Sequence, residues 1–336
     1  MNILVTSAGR RSYLIRYFQD ILKGKGKVYA SNSSPSLATQ DADGSFISPL
    51  IYDDTYIDSL IEFCKSNDIK AIISVFDIDL LILAKNKENI ESHGIKLLLS
   101  GENVIEICND KWNTYLFLKN NNIGTPLTFK SKETAINAIS SKEINFPVII
   151  KPRWGMASMG IFIADNYEEL NVFYNKSLKA INNSYLKYES SLTPEEMVLI
   201  QEKLKGQEYG LDVINDLKGN FVKVIPKSKL EMRAGETDLG QTISSDNFNS
   251  LGIKLSNLLK HEVILSVDCF EYNGEIKVIE MNCRISGHYP LSHIAGANLP
   301  KQIIEWLENK PTDMNNFNYK EGLFITKDLV PRVVNL

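Results

Sequence analysis

SVDCFEYNGEIKVIEMNCR, residues 266–284, is the stretch from which the rest of the chain is read. An apolar run through Val267 and Phe270, a turn at Tyr272-Asn273-Gly274 and a second run through Ile276, Val278 and Ile279 predict a β-hairpin. Side chains alternate along a strand, so Glu280, Asn282 and Arg284 share one face. Burying an unpaired charge costs several kcal/mol, so such a face needs partners. Turn length decides whether Asp268 joins it. A two-residue loop at Asn273-Gly274 pairs Asp268 with Ile279, on the wrong face. A three-residue loop with Gly274 left-handed pairs it with Val278 and leaves it diagonal to Glu280. Two carboxylates and an amide oxygen are hard ligands that suit Mg²⁺ or Mn²⁺ better than zinc. A solvated hairpin face is the plain alternative.

The pattern D-x(11)-E-x-N-x-R across a hairpin resembles the metal-binding end of the ATP-grasp superfamily, in its carbamoyl-phosphate-synthase-like and biotin-carboxylase-like branches. The resemblance implies that Asp268, Glu280 and Asn282 are metal ligands and that Arg284 lies beside the transferred phosphate. Asp268 stands where other members have Glu, which shortens the reach.

The 336 residues can bury a large core and predict two or three domains or subdomains. Composition is that of an ordinary globular chain, 43% hydrophobic and 23% charged. A net charge of −4 argues against nucleic acid as an electrostatic partner. The start, MNILVTSAGRRSYL, does not read as a signal peptide, and no run approaches the ~18 apolar residues of a membrane span. Cys64, Cys108, Cys269 and Cys283 lack C-x-x-C spacing, which fits a reducing cytoplasm and no zinc site. Cys283 faces away from Asn282 and Arg284 and reads as core. There is no internal repeat and no low-complexity tract.

Residues 1–105 alternate strand and helix signals: ILVTS (3–7), a helix carrying Tyr13, Leu14, Tyr17, Phe18 and Ile21, VYASN (28–32), SFIS (45–48), a helix from Thr55 to Lys65, AIISVF (71–76), a helix from Ile78 to Ser92, and IKLLLS (95–100). Such alternation implies a parallel sheet covered on both faces, with ligands beyond the strands' carboxyl ends. Only Gly9 represents a G-x-G-x-x-G motif after the first strand, which disfavours dinucleotide binding. Arg10 and Arg11 either hold an anion at the helix start or pair with surface acids. Asp77 either meets a substrate ammonium or, the plainer reading, caps its own helix. In the resembled family a domain of this kind precedes the ATP-grasp module and contributes to the substrate side of the cleft.

Residues 106–190 open at Asn109-Asp110-Lys111-Trp112, a cap and a helix that stops before Pro126. Lys111 has the disfavoured charge for a helix start. FPVIIKPRWGMASMGIFIA (146–164) reads as two strands joined by a glycine-bounded loop, able to fold backbone N–H groups over phosphates without being a Walker A sequence. The resemblance makes Lys111 and Lys151 phosphate-binding lysines and Gly155, Ser158 and Gly160 a phosphate flap. A helix follows from Asp165, with Glu168 at capping-box spacing, and then a polar surface connection over 182–193.

Residues 191–336 begin with MVLIQEKLKGQEYGLDVIND (197–216), a strand, a polar interruption and a second strand in which Glu208, Gly210 and Asp212 share a face. By resemblance, Glu202 and Leu204 offer backbone groups to adenine and Glu208 binds the ribose, while Asp212 reads as structural. Arg233-Ala234-Gly235-Glu236 resembles a basic loop that approaches the γ-phosphate. A helix over 247–260 turns Leu251, Leu255, Leu258 and Leu259 inward, and 285–289 faces the substrate.

The expected fold is therefore α/β and α+β: an N-terminal parallel-sheet pre-ATP-grasp domain followed by a two-subdomain ATP-grasp fold. The implied activity is a carboxylate–amine ligase that uses ATP and Mg²⁺ (or Mn²⁺), with Arg284 and Arg233 as catalytic groups. Its partners would be small-molecule carboxylate and amine substrates, without nucleic acid or membrane, and a homodimer is one allowed assembly. Carbamoyl phosphate synthesis itself fits poorly, because the resembled large subunits carry two such units. An ATP-grasp kinase and a non-catalytic nucleotide-binding regulator are the alternatives. The loops at 7–11, 77–79, 233–242 and 285–293 carry no readable substrate code.

Overall fold

The computed structural model describes residues 1–156 and 158–334. Ala157, inside the expected flap, lies outside the described residues. β1 (Asn2–Thr6), β2 (Val28–Asn32), β3 (Gly44–Ile47), β4 (Ile69–Ser74) and β5 (Lys96–Leu97) form a parallel sheet in the order β3-β2-β1-β4-β5. Ile3, Leu4 and Val5 are all fully buried, as a strand covered on both faces requires. The helix Ser12–Leu22 packs on it through Leu14, Ile15, Phe18 and Leu22, at the three- and four-residue spacing of one helical face. The expected helix over 78–92 is two helices, Asp77–Lys85 and Lys87–Ser92, broken at Asn86. Of IKLLLS only Lys96 and Leu97 pair as strand.

β6 (Thr128–Phe129), β7 (Val148–Pro152), β8 (Phe162–Ala164) and β9 (Val198–Glu202) make a four-stranded sheet in the order β6-β9-β7-β8. Through β9 this sheet runs beyond residue 190. The helix after β8 is Tyr167–Asn182, its cap one residue later than expected. Asn166 caps it by accepting from the Glu169 N–H, and the Glu169 carboxylate reaches back to the Asp165 N–H at 2.8 Å. Helices Glu102–Asn109 and Lys132–Ser140 complete elements that the sequence pattern leaves unassigned.

β10 (Gln207–Asn215), β11 (Phe221–Arg233), β12 (Glu236–Thr242), β13 (Ile264–Tyr272), β14 (Glu275–Asn282) and β15 (Phe324–Thr326) form an antiparallel sheet in the order β14-β13-β10-β11-β12-β15. The helix Asn249–Leu259 covers β11 with Gly252, Leu255, Ser256 and Leu259, while Leu258 turns out, 42% exposed, against expectation. Gly252 is needed there, since a Cβ would lie 2.1 Å from a Val224 methyl.

Apolar packing joins the first and third sheets. One cluster runs from Leu4, Leu60 and Ile72 to Leu211, Val267 and Cys283, and another from Val5, Leu14 and Phe18 to Ile214, Ile303 and Trp306. The four-stranded sheet keeps a core of its own between Ala135 and Ile200.

Candidate functional site

The β13–β14 hairpin turns through two residues, not three. Asn273 (φ 53°) and Gly274 (φ 78°) are both left-handed, and Tyr272 pairs with Glu275. That turn alone would set Asp268 opposite Ile279. The register shifts instead between Asp268 and Cys269: Cys269 pairs with Val278, and Asp268 lies directly opposite Glu280. Ile279 is the extra residue of a β-bulge, a device that re-aims side chains. Two carboxylates therefore face each other across adjacent strands, with Ser266 opposite Asn282 as the next pair.

Alternation continues this polar face onto β10, where Gly210 lies opposite Asp268, and onto β11 through Lys227 and Lys229. The Lys229 ammonium bridges Glu208 (2.5 Å) and Asp268 (3.0 Å). Beneath it Lys227 and Asp212 form a wholly buried pair, with Ser292 hydrogen-bonded to both. Burial pushes the Asp212 carboxyl up, but Lys227 and His288 beside it hold it well below the usual range. Gly210 makes room for His288, whose ring would be 2.9 Å from a Cβ at 210. His288 and Tyr289, expected to face a ligand, are core residues, and the His288 ring meets Ser266 at 2.8 Å. Asp212 is structural, as read.

The four-stranded sheet brings its lysines to this face. Asp110 caps the helix Lys111–Asn120 and also takes two hydrogen bonds from Arg153, from Nε at 2.8 Å and Nη2 at 2.7 Å. This ion pair, unread in the sequence, clamps the helix start carrying Lys111 to the end of β7 carrying Lys151. Arg153 keeps Glu196 at 2.7 Å when Asp110 is removed, so Asp110→Ala, which loses the helix cap and two charged hydrogen bonds, is expected to lower stability by about 2–3 kcal/mol in urea titration. Lys111 Nζ donates to the Gly155 carbonyl at 2.5 Å and lies 3.1 Å from Glu280. Lys151, 6% exposed, donates to Gln201 at 2.8 Å. Burial, reinforced by Lys111 and opposed by Glu280, pulls its pKa down to about 7.

Ser158 (φ 56°) and Gly160 (φ 71°) form turns between β7 and β8, with Ser158 exposed. Between the two antiparallel sheets lies a cavity of about 290 Å³ lined by Ile149, Gln201, Glu202, Lys203, Leu204, Phe270 and Ile279, among others. The Leu204 N–H has no hydrogen-bond partner among the described residues. The Glu202 side chain accepts from the Leu127 N–H at 3.2 Å. A separate cavity of about 340 Å³ around Asp58 and His93 contains none of these residues.

Arg284 donates from Nε (2.8 Å) and Nη2 (2.7 Å) to Asp77, and its Nη1 has no hydrogen-bond partner among the described residues. Asp77 thus neither caps its helix nor stands free for an ammonium; it anchors Arg284 from the first sheet. Arg233 is not brought to the polar face. It pairs with Asp238 on the β11–β12 hairpin and is 43% exposed. The basic loop expected there is a tight turn, and the member of it that approaches Arg284 is Glu236. Cys283 is core, its sulfur 3.3 Å from that of Cys108. The donor set Asp268, Glu280 and Asn282 fits a hard divalent cation, two carboxylates and an amide on one face. Each carboxylate is balanced meanwhile by a lysine, Lys229 or Lys111.

A family model described as "ATP-grasp domain" matches residues 108–288, and one described as "PylC-like, N-terminal domain" matches residues 3–98. The large chain of carbamoyl phosphate synthase from Clostridium acetobutylicum is 24% identical over 312 residues, which is 88% of this chain and 27% of that one. Among solved structures, biotin carboxylase from Campylobacter jejuni is similar with a TM-score of 0.73 at 17% identity, over 95% of this chain and 73% of that chain. L-amino acid ligase from Bacillus licheniformis is similar with a TM-score of 0.70, also at 17% identity, over 96% and 76%. The chain spans 10–30% of the length of the curated relatives it matches.

Proposed function

The chain belongs to the ATP-grasp family, and from that premise we propose that it is an ATP-dependent ligase. In this reading it activates a small carboxylate as an acyl phosphate and joins it to an amine with release of ADP. The observation that carries the reading is the convergence of Lys111 on Glu280, directly opposite Asp268, where two sheets face each other. We divide the chain as 1–105, a pre-ATP-grasp unit; the small subdomain with the flap, whose expected end at 190 moves to about 202 because β9 belongs to its sheet; and the large subdomain from there to 336.

Adenine is assigned to the cavity beside Leu204, whose free N–H is a donor for a ring nitrogen, with Glu202 acting through its backbone. Glu208 is placed at the ribose, where release from Lys229 frees its oxygens for hydroxyl groups. Lys111 and Lys151, with the backbone of Gly155, Ser158 and Gly160, hold the phosphates. Mg²⁺ (or Mn²⁺) on Asp268, Glu280 and Asn282 would neutralise phosphate charge and hold the phosphates in line with the attacking oxygen. Arg284, oriented by Asp77, offers Nη1 to the oxygens that gain negative charge as the phosphoryl group moves and as the amine displaces phosphate. Arg233 takes part only after Asp238 releases it, so Arg233→Ala is expected to change kcat less than about tenfold, against about 10²–10³ for Arg284→Ala.

No helix among the described residues is long and apolar enough to cross a membrane. The four free, buried cysteines suit the cytoplasm, where we place the protein with small-molecule partners and, as one assembly, a homodimer. The test is ADP release with Mg²⁺ and ATP across carboxylates and amino acids, with and without amines. Release that requires one carboxylate and one amine is the expected result. Release with a hydroxyl compound alone would make the protein a kinase, and nucleotide binding with no release across the panel would speak for a regulator.

A further inference from the structure

Four segments far apart in the chain meet beside Arg284. They are Arg11 and Tyr13 at the start of the first helix, Asp77 after β4, Glu236 at the β11–β12 turn, and Ser286-Gly287 after β14. Their proximity is seen in mutual fields and contacts. Burial pushes the Tyr13 hydroxyl up to about 12, and Arg11, Glu236 and Arg284 all act on it. Against the upward push of burial, Lys327 and then Arg11 and Arg284 hold the Glu236 carboxyl below its usual value. Gly287 lies against Glu236, since a Cβ there would be 2.8 Å from its carboxyl carbon.

The charges of this group do not close. Arg284 is balanced by Asp77, and Glu236 by Lys327 at 3.0 Å. The Arg11 guanidinium has neither an ion-pair nor a hydrogen-bond partner among the described residues, and its Nε is buried. The Tyr13 hydroxyl and the Ser286 Oγ are also buried without partners, Ser286 being only 5% exposed. The helix that follows Arg11 has no side-chain cap and no acid in its first turn. Buried donors left unpaired are rare in folded proteins and cost free energy, so a convergent set of them marks a place for acceptors. One uncompensated positive charge and three hydroxyl or N–H donors match one carboxylate group.

We propose that Arg11, Tyr13 and Ser286 form the seat of the substrate carboxylate that is activated beside Arg284, an inference that rests on the ligase reading above. The seat takes a single carboxylate, because a second acidic group at the same end would meet Glu236 and Asp77. The first helix thereby contributes binding residues to a reaction carried out on the third sheet. Glycine at 287, beside Ser286, is what leaves room for the Glu236 carboxylate at this end of the group.

The test is thermal unfolding of the MgADP-loaded protein with acetate, propionate, succinate and each common L-amino acid, for wild type, Arg11→Gln and Ser286→Ala. At least one single-carboxylate compound is expected to stabilise the wild type, with its half-saturating concentration raised about 10- to 100-fold in Arg11→Gln. MgADP binding should be equal in both. Ser286→Ala, a smaller change, separates loss of the seat from loss of fold and should show a weaker shift in the same direction. Stabilisation by no compound, or equal stabilisation of wild type and Arg11→Gln, overturns the seat while intact MgADP binding leaves the ligase reading standing. Failure of the wild type to bind MgADP would remove both.

Discussion

Glu280→Gln is expected to lower ADP formation at saturating ATP by about 10³-fold and to leave the fold intact. The bulge at Ile279 is the reason for the size of the effect. It places Glu280 directly opposite Asp268 and within 3.1 Å of Lys111, so one carboxylate serves both the proposed cation and the lysine proposed for the phosphates. Glutamine keeps the shape but removes the charge from both. Asp268 retains Lys229 and cannot substitute, because its carboxylate is already shared. The side chain of Glu280 is 29% exposed, so the loss of its ion pair should cost no more than about 1 kcal/mol of stability. Steady-state kinetics and a urea titration on one preparation check both halves. Turnover within tenfold of wild type would remove Glu280 from the reaction.

Lys151→Met is expected to weaken nucleotide binding by about 100-fold and, at the same time, to stabilise the free protein. The two effects have one cause. Lys151 is 6% exposed and faces a neutral amide, so its charge is desolvated without a carboxylate in contact. Its pKa falls from 10.5 in the unfolded chain to about 7 in the folded one. Between those values the unfolded state holds more protons, and stability rises with pH. Below pH 7 both states are protonated and the cost is present in full, up to about 5 kcal/mol. Methionine removes that cost. Urea midpoints at pH 6 should therefore be higher for Lys151→Met than for wild type, with the gap closing towards pH 10. The stored cost is what a phosphate relieves, and MgATP binding near pH 8 should be accompanied by proton uptake, readable by calorimetry in buffers of different ionisation enthalpy. Equal midpoints at pH 6 would show that Lys151 is not desolvated.

What could be read from sequence follows the range over which each signal acts. Alternation of apolar runs revealed the parallel sheet, since every residue of Ile3–Val5 reports burial on its own. The hairpin was legible from the period of two and from Asn273-Gly274. The face shared by Glu280 and Asn282 needed nothing beyond that period. The bulge was not legible, because its cause lies in pairing across two strands, and Asp268 reached the correct face by a different route from the one expected. Pairs made across long separations left no local trace. Arg153 and Asp110 are 43 residues apart, and Arg284 and Asp77 are 207 apart. Lys229 is illegible for the same reason, as a lysine in an apolar strand carries no mark of the two acids it bridges. Arg233 reads as free in its glycine turn because its partner Asp238 lies on the return strand and leaves no local mark.

Transfer of oxygen-18 from a labelled substrate carboxylate into inorganic phosphate tests the proposed chemistry most directly. An acyl phosphate places one carboxylate oxygen between carbon and phosphorus, and attack by the amine releases that oxygen with the phosphate. The ligase reading predicts one labelled oxygen per phosphate formed, dependent on the amine for turnover. Phosphate free of label, with ADP still produced, would contradict it.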